Sequence, residues 1–201
     1  MNETEKIKKR YNRYSYIYDC TECPCELFSF QKYRKNIISS LGGKVLEVGV
    51  GTGKNIPYYN KVDYTGIDFS KNMLAKAKKK FPKAKLLYGD AQELEFKDNS
   101  FDYVITTFVL CSIPDPVKAL KEMKRVVKKE GKIIMLEHVR SKNRLIALWQ
   151  DIHNPITKFL FGFNINRDTK QNIHKAGLIM TKDQALALGD VLQLFEARKG
   201  D

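Results

Sequence analysis

From Lys44 onward the chain alternates short apolar runs with amphipathic stretches. The strand-like runs fall at residues 44–49, 62–67, 84–88, 101–108, 131–138, 178–186 and 190–198. Between them, apolar side chains recurring every three to four positions predict helices over 54–60, 70–80, 115–129 and 166–176. Two further helices are predicted ahead of this region, over 4–18 and 25–40, with aromatic residues at helical spacing (Tyr11, Tyr14, Tyr18; Phe28, Phe30, Tyr33). Breakers punctuate the series: Gly42-Gly43, Pro57, Pro82, Pro114, Pro116, Gly131, Gly177 and Gly189. Alternation of strand and helix implies an α/β domain, a mostly parallel sheet with helices on both faces. Little chain separates the last two strands, which predicts an antiparallel hairpin at one edge. No repeat or linker divides the chain, so residues 1–201 read as a single domain.

In such a sheet ligands bind beyond the carboxyl ends of the strands, where the winding reverses. That rule selects residues 49–54, 68–70, 89–92, 106–112 and 137–140. The first of them is the most informative stretch of the chain, Val45-Leu46-Glu47-Val48-Gly49-Val50-Gly51-Thr52-Gly53. A strand runs into alternating glycines, and Asp68 stands at the end of the next strand. This arrangement brings bare backbone up to a nucleoside and offers a carboxylate to its ribose hydroxyls. Two phosphate-binding loops are excluded. The dinucleotide fingerprint needs a third glycine where this chain has Lys54, and the P-loop needs glycine at Val48 and a hydroxyl at Asn55. A loop without either phosphate device suits an adenosyl ligand that carries no phosphates, which points to S-adenosylmethionine (SAM).

Composition narrows the class further. The chain has 201 residues, 43% of them hydrophobic, enough for a full core. No apolar run approaches the roughly 20 residues of a membrane-spanning helix, and the opening MNETEKIKKRYNRY lacks the apolar stretch of a signal peptide. The expectation is a cytoplasmic protein. Net charge is +13, with lysines clustered over 71–85 and 118–132. Such clusters form solvated faces or attract an anionic membrane or nucleic acid, and charge alone does not separate these. Three of the four cysteines crowd into Cys20-Thr-Glu-Cys23-Pro-Cys25. Four-ligand zinc usually takes two spaced pairs, so packing or incidental thiols are expected there and no metal site is assigned.

Six landmarks in order, VLEVGVGTGKN, YTGIDFSKNML, LLYGDAQELEF, SFDYVITTFVLCSIPDP, ALKEMKRVVKKEGKIIMLEHV and NINRDTKQNIHKAGL, resemble the class I SAM-dependent methyltransferases. Within that class the likeness is to the group containing quinone and phospholipid methyltransferases, and more loosely to a thiol methyltransferase branch. It covers roughly residues 11–198. It implies a Rossmann-like seven-stranded sheet, SAM as cofactor with S-adenosylhomocysteine as product, and a helical lid over residues 1–40. It also implies site roles. Gly49, Gly51 and Gly53 would let the backbone approach the methionine and ribose, and Glu47 would orient that loop or receive the ammonium. Asp68 would accept both ribose hydroxyls while Phe69 lies against the adenine. Asp90 would accept the adenine amine, with the Ala91 backbone nearby. Thr107 and Phe108 would border the methionine and its methyl, and Tyr18 resembles a lid residue of the quinone-methylating members.

The acceptor is less legible. Candidate proton acceptors at the reaction end are His138, Glu137 and Tyr18, because histidine titrates near neutrality and all three are expected near the mouth. Residues 141–165 form an insertion, expected to be part of the acceptor pocket. Its Leu145, Leu148, Trp149, Ile152 and Ile156 keep approximate helical spacing. That stripe either packs a helix on the sheet or makes an apolar acceptor pocket or membrane-touching surface, where Lys142, Arg144 and Lys158 would meet anionic headgroups. The expected acceptor is small and hydrophobic or amphiphilic: a phospholipid amine, a quinol or an alkyl thiol. RNA methylation and a SAM- or metalloid-binding module without turnover are the alternatives. The Asn-Pro-Pro-Tyr type of tetrapeptide used on bases is replaced here by Thr106-Thr107-Phe108-Val109.

Overall fold

The structure is a computed structural model and describes residues 3–25 and 30–200, with side chains at 3–13, 15 and 30–200. Tyr14, Tyr18, Cys20, Cys23, Cys25 and Phe28 lie outside the described side chains.

Among the described residues seven strands form one sheet in the order β3-β2-β1-β4-β5-β7-β6. They are β1 (Lys44–Val48), β2 (Asp63–Asp68), β3 (Leu86–Tyr88), β4 (Phe101–Thr107), β5 (Val127–His138), β6 (Leu178–Ala187) and β7 (Leu192–Lys199). The first five run parallel, and β7 lies antiparallel between β5 and β6. The Rossmann-like sheet and its antiparallel edge hairpin are therefore as the sequence implies. The winding reverses between β1 and β4, the place where open α/β sheets bind ligands.

Among the described residues six α-helices accompany the strands: α1 (Glu3–Cys25), α2 (Gln31–Ile38), α3 (Lys71–Lys80), α4 (Pro116–Val126), α5 (Arg144–Leu160) and α6 (Thr169–Lys175). Their starts follow from capping chemistry. Ser70, Asp115, Asn143 and Asp168 each turn a side-chain oxygen onto an amide of the first turn, removing orphan donors from α3, α4, α5 and α6. On one face of the sheet, Leu120 and Met123 of α4 and Ile173 of α6 pack with Val104, Ile133, Met135 and Phe195. On the other, Ile38 of α2 meets Val45, Ile105, Ile134 and Leu194. Leu74 and Ala77 of α3 close the far end over Val50 and Leu86.

Several boundaries differ from the sequence reading. The helix expected over 54–60 is a single 3-10 turn, Ile56–Tyr58, because Pro57 stands at its start and Tyr59 returns to extended backbone. The helix expected to reach 129 stops at Val126, and β5 begins at Val127, four residues ahead of Gly131. The first helix runs on to Cys25, and the second is confined to Gln31–Ile38. The insertion is one helix through Pro155, with its apolar side turned away from the sheet.

Candidate active site

At the switch point, the ends of β1, β2, β3 and β4 surround a cavity of about 830 Å³, its open mouth included. Gly49, Gly51, Asp68, Phe69, Asp90, Ala91, Thr107 and Phe108 all line it, so the structure gathers eight of the sequence-singled residues on one surface.

The loop after β1 is locked to its neighbours. The Gly49 and Val50 amides both donate to the Ile67 carbonyl, at 2.8 and 3.0 Å. Asp68 is 6% exposed, yet one carboxylate oxygen accepts from the Gly51 amide and the other from the Ser70 amide, each at 2.8 Å. Each oxygen keeps a further lone pair for a ligand. Burial pushes this carboxyl up to about 6, against the lowering effect of the two amides. The Gly53 position is packing rather than lining, since a Cβ there would meet the Phe81 ring at 2.9 Å.

Behind the loop lies a polar network that sequence reasoning missed in part. Arg34 of α2 is 3% exposed, lines the cavity, and donates to Asn55 Oδ1 at 2.7 Å and Thr107 Oγ1 at 2.6 Å. Asn55 passes the contact on to Glu47 Oε1 at 2.8 Å, and the Tyr64 hydroxyl donates to Glu47 Oε2 at 2.8 Å. Glu47 therefore sits one layer behind the cavity, orienting Asn55 rather than facing a ligand. Nothing in the sequence set Arg34 apart from Lys32 and Lys35 of the same helix, which are exposed. Gln92 was missed as well; its amide nitrogen lies 3.2 Å from each Asp90 oxygen and holds that carboxylate at the cavity edge.

Burial raises the Glu47 carboxyl to about 7 from an ordinary 4.5. The folded chain keeps a proton on Glu47 that the unfolded chain releases between those values. Its contribution to stability is thus greatest below pH 4.5 and is lost as pH rises through about 7, with a slope of up to about 1.4 kcal/mol per pH unit. Asp68, at about 6, and Glu137, at about 7, act in the same sense. His138, depressed to about 4, acts oppositely: its contribution is present above 6.5 and is lost as pH falls through 4. Glu47→Gln, which keeps one acceptor and donates to the amphoteric Tyr64 hydroxyl, is expected to flatten the fall of Tm between pH 5 and 7. Thermal melts across that range check it, and parallel wild-type and variant profiles would contradict it.

Of the candidate bases with described side chains, neither Glu137 nor His138 lines the cavity. Glu137 is fully buried and faces the turn after β4, accepting from Thr106 Oγ1 at 3.0 Å and from the Val109 and Leu110 amides at 3.1 and 3.3 Å. Its carboxylate is committed to that turn, which satisfies amides the strand end would otherwise orphan. His138 lies behind Phe108, ring centroids 4.6 Å apart, with Phe30 at 5.7 Å. Burial and the Arg34 charge lower it to about 4, so it is neutral near pH 7. Tyr18 belongs to the α1 backbone, outside the described side chains. Cys111 is buried, its thiol pushed up to about 12, which fits a packing residue.

One helix covers the cavity. Thr4 and Tyr11 of α1 line it. The Tyr11 hydroxyl bonds Ser112 Oγ, and its ring lies 6.0 Å from that of Phe69. Asn12 ties α1 to the start of α3, accepting from Ser70 Oγ at 2.7 Å on its side chain and from Asn72 Nδ2 at 3.0 Å on its carbonyl. None of residues 141–165 lines the cavity; the Asn164 amide donates to the carbonyl of Cys111, itself outside the lining, at 2.9 Å.

Comparison with known proteins agrees with this geometry. Residues 46–135 match the family described as "Methyltransferase domain". The chain is 37% identical over 161 residues to a phosphatidylethanolamine N-methyltransferase of Cereibacter sphaeroides, covering 73% of this chain and 75% of that one. It is 39% identical over 148 residues to a demethylmenaquinone methyltransferase of Staphylococcus aureus, spanning 66% of this chain and 57% of that protein's length. In fold it is similar to a SAM-dependent methyltransferase from Thermotoga maritima, with TM-score 0.74, 21% identity, and coverage of 96% and 99% of the two chains. The chain belongs to the class I SAM-dependent methyltransferases. It is an enzyme, and SAM is its cofactor.

Proposed function

We propose that this methyltransferase serves a small hydrophobic or amphiphilic acceptor, with a phospholipid amine, a quinol and an alkyl thiol as the candidates. The observation that carries the reading is the wall of the cavity beyond the Gly49 loop. Phe108, Val109, Ile113 and Pro114 make it apolar, with Thr107 and Ser112 as the polar points between them. Such a wall accepts an alkyl or ring system and holds a single polar atom in place. The relatives named for phosphatidylethanolamine and demethylmenaquinone support the same class of acceptor.

The residues present fit the cofactor. Gly51 has no atom within 4 Å of the place a Cβ would occupy, so its bare backbone leaves room for a ligand. In this reading Asp68 holds the ribose hydroxyls, Phe69 lies on the adenine, and Asp90, fixed by Gln92, takes the adenine amine with Ala91 beside it. Arg34, cross-linked to Thr107, supplies positive charge for the methionine carboxylate. Bound there, SAM supplies an electrophilic methyl on a sulfonium and leaves as S-adenosylhomocysteine. The protein's part is to hold the acceptor's nucleophilic atom in line and to exclude water. Helix α1, whose Thr4 and Tyr11 line the cavity, acts as the lid.

His138 enters this reading as support for Phe108, not as a base. His138→Phe is expected to leave kcat within about threefold and its pH profile unmoved, whereas loss of a general base costs roughly 100-fold or more. Steady-state kinetics across pH decides between the two. The acceptor itself is tested by supplying methyl-labelled SAM with phosphatidylethanolamine vesicles, quinols, alkyl thiols and RNA in separate reactions, followed by organic extraction. Label in an extractable product supports the reading and selects the acceptor; label in RNA alone overturns it.

A further inference from the structure

Helix α5 is built inside out. Leu145, Leu148, Trp149, Ile152, Ile156 and Phe159 are each 56–79% exposed. At about 100° per residue these six lie within an arc of about 100°. The opposite side, which faces the protein, is polar or small. Ala147 and Gln150 are its buried residues. Gln150 donates to the Val139 and Ile165 carbonyls at 3.0 and 2.8 Å and accepts from the Ser141 amide at 2.8 Å. Asn154 accepts from the Ile165 amide at 2.9 Å, and Asp151 pairs with Arg140 at 2.8 Å. The helix is thus pinned to the body by hydrogen bonds, which fix its rotation and hold the apolar stripe outward. A contiguous apolar face of this kind marks a surface made for an apolar phase, unlike scattered exposed side chains.

Charge decides which phase. Lys142 and Arg144 stand at the start of the helix, and at its end the Arg10 guanidinium lies 6.0 Å from the Phe159 ring, while Lys158 is paired with Glu3. The acid within the helix, Asp151, is on the protein side. Net charge is +13. A second copy pressed against this face would set two such basic rims and two such charges together, which like-charge repulsion opposes. An anionic lipid surface answers both features, taking the six side chains below its headgroups and the basic rim among them.

We propose that the exposed face of α5 docks the protein on anionic lipid bilayers, lying in the interface without crossing it. Among the described residues no helix is long and apolar enough to span a membrane. The end of α5 abuts α1, through the Lys158–Glu3 pair at 2.8 Å and the Arg10 bond to the Lys158 carbonyl at 2.9 Å. Docking therefore holds the cover of the cavity at the lipid surface. That this brings the site to its acceptor rests on the reading above; the docking itself does not.

Trp149 is the sole tryptophan, so its fluorescence reports on this face alone. The full chain is titrated with phosphatidylcholine vesicles, with and without phosphatidylglycerol, in the absence of SAM and acceptor. The expected result is a blue shift of Trp149 emission on anionic vesicles, quenching by brominated acyl chains, and affinity at least about tenfold above that for neutral vesicles. Leu145→Ser/Ile152→Ser/Phe159→Ser, which alters only exposed positions, should keep the Tm and lose at least about tenfold in vesicle affinity. Unshifted Trp149 emission at saturating lipid overturns the proposal, as does vesicle binding undiminished in the triple variant. A blue shift that grows with protein concentration without lipid, together with dimers in light scattering, assigns the face to a second copy and overturns it too. Because methyl transfer is not the readout, a failure here is separable from a failure of the acceptor reading.

Discussion

Gly49→Ala will lower SAM affinity by tenfold or more and will also lower the Tm of the free protein. Gly49 sits at φ +78, in the left-handed region, which costs a residue with a Cβ about 1–2 kcal/mol. The new Cβ would also meet Val109, with Cγ1 at 2.7 Å and Cγ2 nearer still. Val109 is not free to retreat, because its amide donates to both oxygens of the buried Glu137 carboxylate at 3.1 Å. Overpacking a fixed site of this kind costs about 1–3 kcal/mol more. The loop can relieve the strain only by leaving the Ile67 carbonyl that orders it, which removes the backbone surface offered to the cofactor. Gly51→Ala is the control. Its Cβ would point into open cavity space, so it should weaken SAM binding while disturbing the Tm less. Calorimetric titration and thermal melts on the two variants measure both quantities. Equal Tm losses would show that the Val109 contact does not hold the loop.

The fold was legible because its signals are local. Continuous apolar strands, helical spacing of apolar residues, and glycines and prolines between elements all act over a few residues. That Gly49, Gly51, Asp68, Asp90 and Thr107 share one cavity was legible for the same reason: they follow the ends of successive strands, and a doubly wound sheet brings strand ends together. What sequence did not give was direction. Glu137 and His138 were correctly placed at the end of β5, but neighbouring residues of a strand point to opposite faces. One turns into the loop after β4 and the other slots behind Phe108. Phe108 itself takes φ +59, a bend that no composition rule announces. Arg34 reaches the cavity from α2 across Asn55 and Thr107, contacts 21 and 73 residues distant in the chain.

Helix α5 is the sharpest case of the same limit. Periodicity correctly gave a helix with one apolar stripe, yet a stripe reads identically whether it faces the core or the solvent. Its orientation is set by Gln150 and Asn154, whose partners are the backbone of Val139, Ser141 and Ile165. Those partnerships depend on where β5 ends and where the chain returns before α6. A polar residue at 150 or 154 reads in sequence as the solvent side, and here it is the buried side.

Asp68→Ala will weaken SAM binding by tenfold or more. Two ribose hydroxyls donating to a charged acceptor contribute about 1.5–3 kcal/mol each. The same carboxylate holds the Gly51 and Ser70 amides, so its removal also loosens the loop that carries the glycines. Asp68→Asn separates the two effects, since it keeps one acceptor for the loop and loses the charge. Burial sets a pH signature as well. The free carboxyl lies at about 6, and ribose hydroxyls donate best to its ionised form. Above pH 6 that form is already present and affinity should be level. Below it the protein must first give up a proton to bind, so affinity should fall by up to about tenfold per pH unit. Asp68→Asn should bind weakly at all pH values and show no such break. Calorimetric titrations from pH 5 to 8 on the three proteins check this; wild-type affinity that is flat below pH 6 would place the ribose on another acceptor.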